Sequence, residues 1–227
     1  MIKHLAFLLI VFSALFSFGQ SKMGNWQAYI LNTKFGESPV RFQMDIQHRD
    51  HNLIGDLDQT IFRPGIQYFH AQSKSSYLMG YAFFVFQNEG NPNVTVTENR
   101  IFQDIDLRHS IGRVGIRHRY RFEERFVEAQ PFAFRLRYAI FINIPIKHKS
   151  IVAKTLYIPI WNEVFINAKG TPFDRNWLYA GLGYRITDSF GVQLGLMDQF
   201  RVTGPKAQIV LSPHHDLSLG VKTPTNQ

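Results

Sequence analysis

The chain has 227 residues, a net charge of +8, 15% aromatic residues and no cysteine. Without cysteine, a disulfide framework and a thiol nucleophile are both excluded. The mean hydropathy of -0.14 argues against a bundle of membrane helices. Combined with the high aromatic content, this mean hydropathy favours short strands in which apolar and polar residues alternate.

The first predicted element is a signal peptide. Lys3 precedes an apolar run over 5–18, and Gly19 supplies a small residue after it, which is the pattern that signal peptidase recognises. The run is shorter than the roughly 17 to 25 residues of a spanning helix. We expect cleavage after Gly19, which leaves 1–19 as signal peptide and 20–227 as a single domain. A retained N-terminal anchor is the alternative.

The rest of the chain repeats one unit, a strand of about ten residues followed by a polar, Gly or Pro interruption. The pattern shows no long helical periodicity and no linker. We predict twelve strands, with ten as the alternative because the first and the last two segments are short or weakly patterned. The predicted strands are 25–32, 39–49, 58–70, 76–87, 98–109, 113–127, 131–146, 155–167, 175–185, 190–200, 206–212 and 216–222.

Alternation is clearest in the strands predicted over 39–49, 113–127 and 131–146. Apolar residues occupy one face of each strand, and the opposite face is mostly polar and rich in arginine. The strands of a soluble β-sandwich also alternate between apolar and polar residues. Their solvent-exposed face usually carries Thr, Ser and Lys, whereas the polar face here is rich in arginine. The basic residues fall at alternate positions rather than in a run, which argues against a nucleic-acid partner. We therefore predict an all-β, closed antiparallel transmembrane β-barrel.

A tight hairpin is predicted between the sixth and seventh strands, which only residues 128–130 separate. Centred on Ala129, it places Glu123 opposite Arg135 and Arg121 opposite Arg137. Two arginines facing each other in a confined lumen repel. Carboxylates from elsewhere must then enter the same layer, and the candidates are Glu98, Asp104, Asp106, Glu124 and Glu163.

An ordered set of short elements resembles a known family. The elements are Trp26, Arg63 with Gly65 and Tyr68, Gly80-Tyr81, the run from Arg119 to Phe126, Arg135 to Tyr138, Asn162 to Asn167, and Arg175 to Tyr184. Together they resemble the bacterial outer-membrane barrel family catalogued as domain of unknown function 2490, over about residues 25–200. The resemblance implies a Gram-negative outer-membrane barrel of roughly a dozen strands, with outer-membrane lipids and the barrel-assembly machinery as partners. It implies no established activity, cofactor or substrate.

The polar ladder has two interpretations. It could form a porin-like, anion-selective pore or hold a small anionic solute, since arginine presents fixed forks to carboxylate and phosphate. Alternatively, it could fill a narrow lumen with ion pairs. We favour filling because acids alternate with the arginines. The candidate residues are Arg117, Arg119, Arg121, Glu123, Arg125, Arg135, Arg137 and Glu163.

Enzymatic chemistry has little support in the sequence. It contains no G-x-S-x-G motif and no histidine pair with a carboxylate at metal spacing. We predict no catalytic residue, no metal and no cofactor, and a lipid-modifying enzyme is the less favoured alternative. His109 and His118, with Trp161 and Trp177, are interpreted as residues of the membrane interface. The adjacent His214-His215 is interpreted as part of an exposed loop.

Overall fold

The structure is a computed structural model that describes residues 23–90 and 92–220. The predicted signal peptide over 1–19 and residues 221–227 lie outside this part. The described residues form eleven strands. Their bounds are β1 Met23–Phe35, β2 Val40–Asp50, β3 Leu57–His70, β4 Ser75–Gln87, β5 Thr95–Ile111, β6 Val114–Val127, β7 Ala133–Pro145, β8 Thr155–Asn167, β9 Phe173–Arg185, β10 Phe190–Arg201 and β11 Lys206–Leu219. No helix in these residues is long and apolar enough to cross a membrane.

The strands close into a barrel in chain order. Consecutive strands pair antiparallel, whereas β1 and β11 pair parallel. Because the number of strands is odd, the first and the last strand must run in the same direction. The predicted all-β closed barrel is confirmed. The eleven strands lie between the predicted twelve and the alternative of ten, whereas the wholly antiparallel closure was wrong.

The miscount came from Pro213. Proline has no backbone N–H and usually ends a strand, so two strands were predicted, over 206–212 and 216–222. The structure has one strand through this point, β11. Its pairing with β1 stops after Leu211 and resumes at His214, so the proline lies in a gap of that ladder. His214 and His215 therefore belong to a strand, and the predicted exposed loop was wrong.

The two ends of the barrel are named here by the direction of β1. At the proximal end β1 begins, and at the distal end β1 and β11 finish. The β6–β7 hairpin turns at the proximal end, with Ala129 at a φ of 55°. The register places Glu123 opposite Arg135 and Arg121 opposite Arg137. The predicted hairpin is confirmed in each of these pairs.

Alternation sorts the side chains of every strand between lumen and outer wall. In β6 the odd-numbered residues face the lumen, and in β2 residues such as Gln47 and Arg49 do so. All strand arginines occupy lumen-facing positions by this alternation. The outer wall carries the exposed aliphatic and aromatic residues, such as Ile66, Met79 and Leu194. The core of the fold is consequently the inside of the barrel.

Two apolar clusters pack within the lumen. The larger contains Trp26, Ala28, Phe165, Trp177, Tyr179, Met197 and Val210, with Trp161 against it. The smaller contains Ile61, Leu78, Ala82, Phe84 and Phe102. Trp161 and Trp177 thus face inward, and their interpretation as residues of the membrane interface was wrong. Their odd numbers place them on the same face of β8 and β9 as the polar network.

Inward-facing glycines make room for these large rings. A Cβ on Gly80 would overlap the ring of Phe102, and one on Gly183 would overlap the ring of Tyr157. Neither glycine has a positive φ. Each glycine is the register partner of the ring on the neighbouring strand, so close packing between adjacent strands explains it rather than backbone conformation.

Candidate functional site

The candidate site is the polar network inside the barrel, and its centre is Glu123 on β6. Glu123 Oε2 accepts hydrogen bonds from Arg135 Nε at 2.9 Å and Nη2 at 2.7 Å, and Glu123 Oε1 accepts one from Arg137 Nη1 at 2.7 Å. Arg100 Nη1 lies 3.6 Å from Glu123 Oε1. Glu123 is only 1% exposed. Three arginines from β5 and β7 thus surround one buried carboxylate.

Two further carboxylates bring neighbouring strands into the same network. Glu163 on β8 accepts from Arg137 Nε at 2.8 Å and from Arg119 Nη2 at 2.7 Å. Asp104 on β5 accepts from both Arg121 Nε and Nη2, at 2.6 and 2.7 Å. Such forked contacts combine charge with fixed geometry. They compensate the repulsion that the sequence predicted between Arg121 and Arg137.

The last two predicted ladder arginines lie toward opposite ends of the lumen. Arg125, toward the proximal end, donates to Glu98 at 2.6 and 3.1 Å. Arg117, toward the distal end, lies 3.4 Å from Asp106. Four of the five candidate carboxylates enter the lumen. The fifth, Glu124, occupies the outer face between Ile101 and Phe134 in the register.

Sequence reasoning missed several members of the network. Arg63 pairs with Asp45, Arg100 donates to Glu98 at 2.6 Å, and Asp174 accepts from Arg135 at 2.8 Å. Asp45 lies on the face that alternation had marked as polar. Arg100 lies on the same face of β5 as Glu98, Asp104 and Asp106, so the same alternation could have identified it.

The aromatic side of the lumen packs tightly around arginine side chains. The rings of Trp26 and Trp177 lie 5.3 Å apart, and those of Phe165 and Trp177 4.5 Å apart. Arg49 stacks 3.6 Å above the ring of Trp26, and Arg137 lies 4.2 Å above that of Phe165. Cation–π contacts of this kind are favourable when water is excluded.

Each strand contributes at least one nearly inaccessible side chain to this region, which we call the waist. Its members are Trp26, Arg49, Ile61, Leu78, Phe102, Glu123, Arg135, Phe165, Trp177, Met197 and Gln208. No member is more than 7% exposed. Glu123 joins the two apolar clusters, because Arg137 on one side reaches Trp177 and Arg100 on the other stacks on Phe84.

A cavity of about 770 Å³ lies inside the barrel. Eight of the eleven waist members contribute to its lining, and its distal part is a vestibule defined by Arg41, Arg108, Arg117, Phe69 and Phe141. The side chains of Arg108 and Arg117 are 31% and 30% exposed.

The described residues contain no metal-binding cluster, but Ser212 Oγ lies 3.0 Å from His214 Nε2 inside the barrel. Across 23–90 and 92–220, no group of three or more His, Asp or Glu side chains could hold a metal ion. His118, one of the histidines considered at the sequence level, lies on the outer wall and pairs with the hydroxyl of Tyr138 at 2.8 Å. The arrangement inside the barrel can bind anions or hold strands together.

Comparison with known proteins gives a family but no activity. The model of a family described as "Protein of unknown function (DUF2490)" matches residues 23–209. An uncharacterised protein of Methylorubrum extorquens is 28% identical over 182 residues, which cover 76% of this chain and 77% of that protein. No solved structure matches.

Proposed function

This chain belongs to the family described as protein of unknown function DUF2490. We propose that it is an outer-membrane β-barrel that does not conduct ions. The proposal has two parts, the membrane location and the closed lumen. The outer wall supports the first part, and the waist supports the second.

The outer wall is apolar around its whole circumference. Every strand contributes at least one large apolar residue that is more than a third exposed, among them Phe62, Tyr120, Leu182 and Leu211. Contiguous apolar patches on soluble monomers rarely exceed a few hundred Å². A lipid bilayer is the environment in which such a wall is stable, because lipid-facing positions of spanning barrels are apolar.

The charges follow the same division. The strand arginines face the lumen, where carboxylates pair with most of them, and the outer wall carries few charged groups. Glu124 and Asp198 are outer-wall carboxylates, and both lie three residues from the proximal end of their strands. The cost of a lipid-facing charge falls to about 0 to 1 kcal/mol near the membrane interface. Their position is therefore compatible with a spanning barrel.

The inaccessibility of the waist carries the second part of the proposal. Side chains that line a water-filled channel are in contact with that water, whereas the eleven waist members are at most 7% exposed. The Arg and carboxylate pairs in and beside the waist make contacts of 2.6 to 2.9 Å. Most polar groups of the network are thus paired with one another, which supports its role as a structural filling.

Conductance measurement tests the closed lumen. Purified protein inserted into a planar lipid bilayer should give no steady current in potassium chloride, while a known open porin in the same membrane conducts. A steady, anion-favouring current from the wild-type protein would overturn the closed barrel and support an open, arginine-lined pore.

Cell fractionation tests the location. Expressed with residues 1–19 in a Gram-negative host, the protein should be recovered in the outer membrane and should lose those residues. Without them it should stay in the cytoplasm. Recovery of the full-length expression product as a soluble protein would contradict the proposal.

A further inference from the structure

We propose that the distal vestibule binds a small soluble anion carrying two or more negative charges on phosphate or carboxylate oxygens. The inference rests on the proposed closed lumen, because a vestibule with a blocked floor holds a ligand instead of passing it. The observations that carry it are uncompensated positive charge, unpaired N–H groups, fixed guanidinium positions and a cavity of suitable size.

The vestibule has more cations than carboxylates. Arg108 and Arg117 are register partners on β5 and β6, and both reach Asp106, at 3.2 and 3.4 Å. These contacts are longer than the 2.6 to 2.8 Å pairs of Arg121 with Asp104 and Arg137 with Glu163. Within the described chain, Arg41 has no carboxylate partner. Arg41, Arg108 and Arg117 thus share only Asp106. The other carboxylate of the distal lining, Asp216, is paired with Arg185 at 2.6 Å.

Four arginines that line the cavity have an enclosed N–H group without an acceptor among the described residues: Arg41, Arg49, Arg119 and Arg121. Two of these groups, on Arg41 and Arg119, lie toward the distal end. The Nε atoms of Arg41 and Arg119 are enclosed and make no hydrogen bond with any described residue. Enclosed donors are normally satisfied, because leaving one unpaired costs about 1 to 3 kcal/mol. Oxygens of a bound anion would supply the missing acceptors.

Aromatic rings hold the guanidinium groups in place. Arg41 lies 4.0 Å above the ring of Phe69, and Arg108 lies 5.8 Å from the same ring. On the other side, Arg117 lies 3.9 Å above the ring of Phe141. Planar guanidinium groups stacked in this way remain fixed while their N–H edges stay available to oxygen atoms. The site is therefore prepared for a ligand before it binds.

The size and lining of the cavity limit the ligand class. The volume of about 770 Å³ belongs to the whole luminal cavity, of which the vestibule is the distal part, so the vestibule admits only a small ligand. Asn32, Gln43 and His214 add polar groups to the lining. Because these residues face the lumen, the barrel wall separates them from lipid, and the ligand is a soluble anion.

Calorimetric titration of the folded protein in zwitterionic detergent tests the inference, with inorganic pyrophosphate and citrate as probes at low salt. Wild-type protein should bind at least one of them, and added salt should weaken binding. Which probe binds more tightly distinguishes phosphate from carboxylate. The double variant Arg108→Gln/Arg117→Gln should lose at least about tenfold in affinity.

A matched variant controls for total charge. Arg113→Gln/Arg201→Gln removes two positive charges as well, but Arg113 and Arg201 donate to backbone carbonyls of Ile146 and Gly204 outside the vestibule. Its affinity should stay within about twofold of wild type. If the double vestibule variant fails to fold, Arg41→Gln replaces it. This substitution breaks no ion pair of the described chain.

Two results would overturn the inference: no binding of either probe to the wild-type protein, or an equal loss in vestibule and control variants. The conductance of the same preparation separates this failure from failure of the closed barrel. A silent barrel that binds neither probe leaves the proposed function standing. A conducting barrel refutes the closed lumen whatever the titration shows.

Discussion

Arg121 and Arg137 face each other directly across the β6–β7 hairpin, yet each donates to a carboxylate from a different strand. Arg121 is bound by Asp104 of β5, and Arg137 by Glu163 of β8 as well as by Glu123. The like charges are therefore tolerated because β5 and β8 flank the hairpin in the closed sheet. The network spans four consecutive strands and couples them.

The first prediction concerns Glu123, which holds Arg135 and Arg137. Glu123→Gln should destabilise the folded barrel by about 3 to 5 kcal/mol, since it leaves buried arginines without a counter-charge. Urea unfolding from lipid vesicles, followed by tryptophan fluorescence, measures the change. Glu124→Gln is the matched control, because it is the same substitution one residue along on the outer face. Equal losses in the two variants would mean that the described division of faces is incorrect.

The second prediction tests whether the outer wall faces lipid, at Leu194, which is 55% exposed. Leu194→Arg should destabilise the protein in a bilayer by about 2 to 4 kcal/mol, because a charge near the middle of the membrane is costly. A smaller effect is expected for Gln193→Arg, whose side chain faces the lumen. The same unfolding assay measures both. A Leu194→Arg variant as stable as wild type would contradict the membrane-spanning barrel.

The third prediction concerns a variant that should open the waist. Trp26→Ala/Trp177→Ala removes two packed rings and the ring on which Arg49 stacks, so steady current should appear in a planar bilayer. Part of the packing energy is lost as well, about 3 to 5 kcal/mol for each tryptophan. Folding is therefore checked by the heat-dependent mobility shift on gels.

Phe62→Ala removes an aromatic ring from the outer wall and is the control for the waist variant. It should remain silent. A folded double tryptophan variant without current would show that the remaining network blocks the lumen alone, and it would contradict the assigned role of the two rings.

The fourth prediction concerns the turn at Ala129, whose φ of 55° is unfavourable for a residue with a Cβ. Ala129→Gly should stabilise the protein by about 0.5 to 1 kcal/mol. In contrast, Ala133→Gly, at the start of β7, should destabilise it by a similar amount. Unfolding curves of the two variants measure the change in the free energy of unfolding. A destabilised Ala129→Gly variant would contradict the turn geometry.

Much of the fold was predictable because alternation is a local property. The odd-numbered residues of β6 face inward simply because a strand projects successive side chains to opposite sides. The short link around Ala129 likewise determined the partner of each residue in β7. Pro213 was misinterpreted because its effect depends on the pairing that surrounds it, and the sequence does not reveal the gap in the β1 ladder.

Taken alone, the sequence determined the strand character, the two faces, the hairpin register and the need for acids near Arg121 and Arg137. Only the tertiary structure decided that eleven strands close through a parallel pair and that Trp26 and Trp177 meet inside. It also decided that Arg100 joins Glu123 while Arg41 stays without a carboxylate partner in the described chain. The reason is physical: which charges and rings meet across a lumen depends on the number and stagger of the strands, and closure sets both.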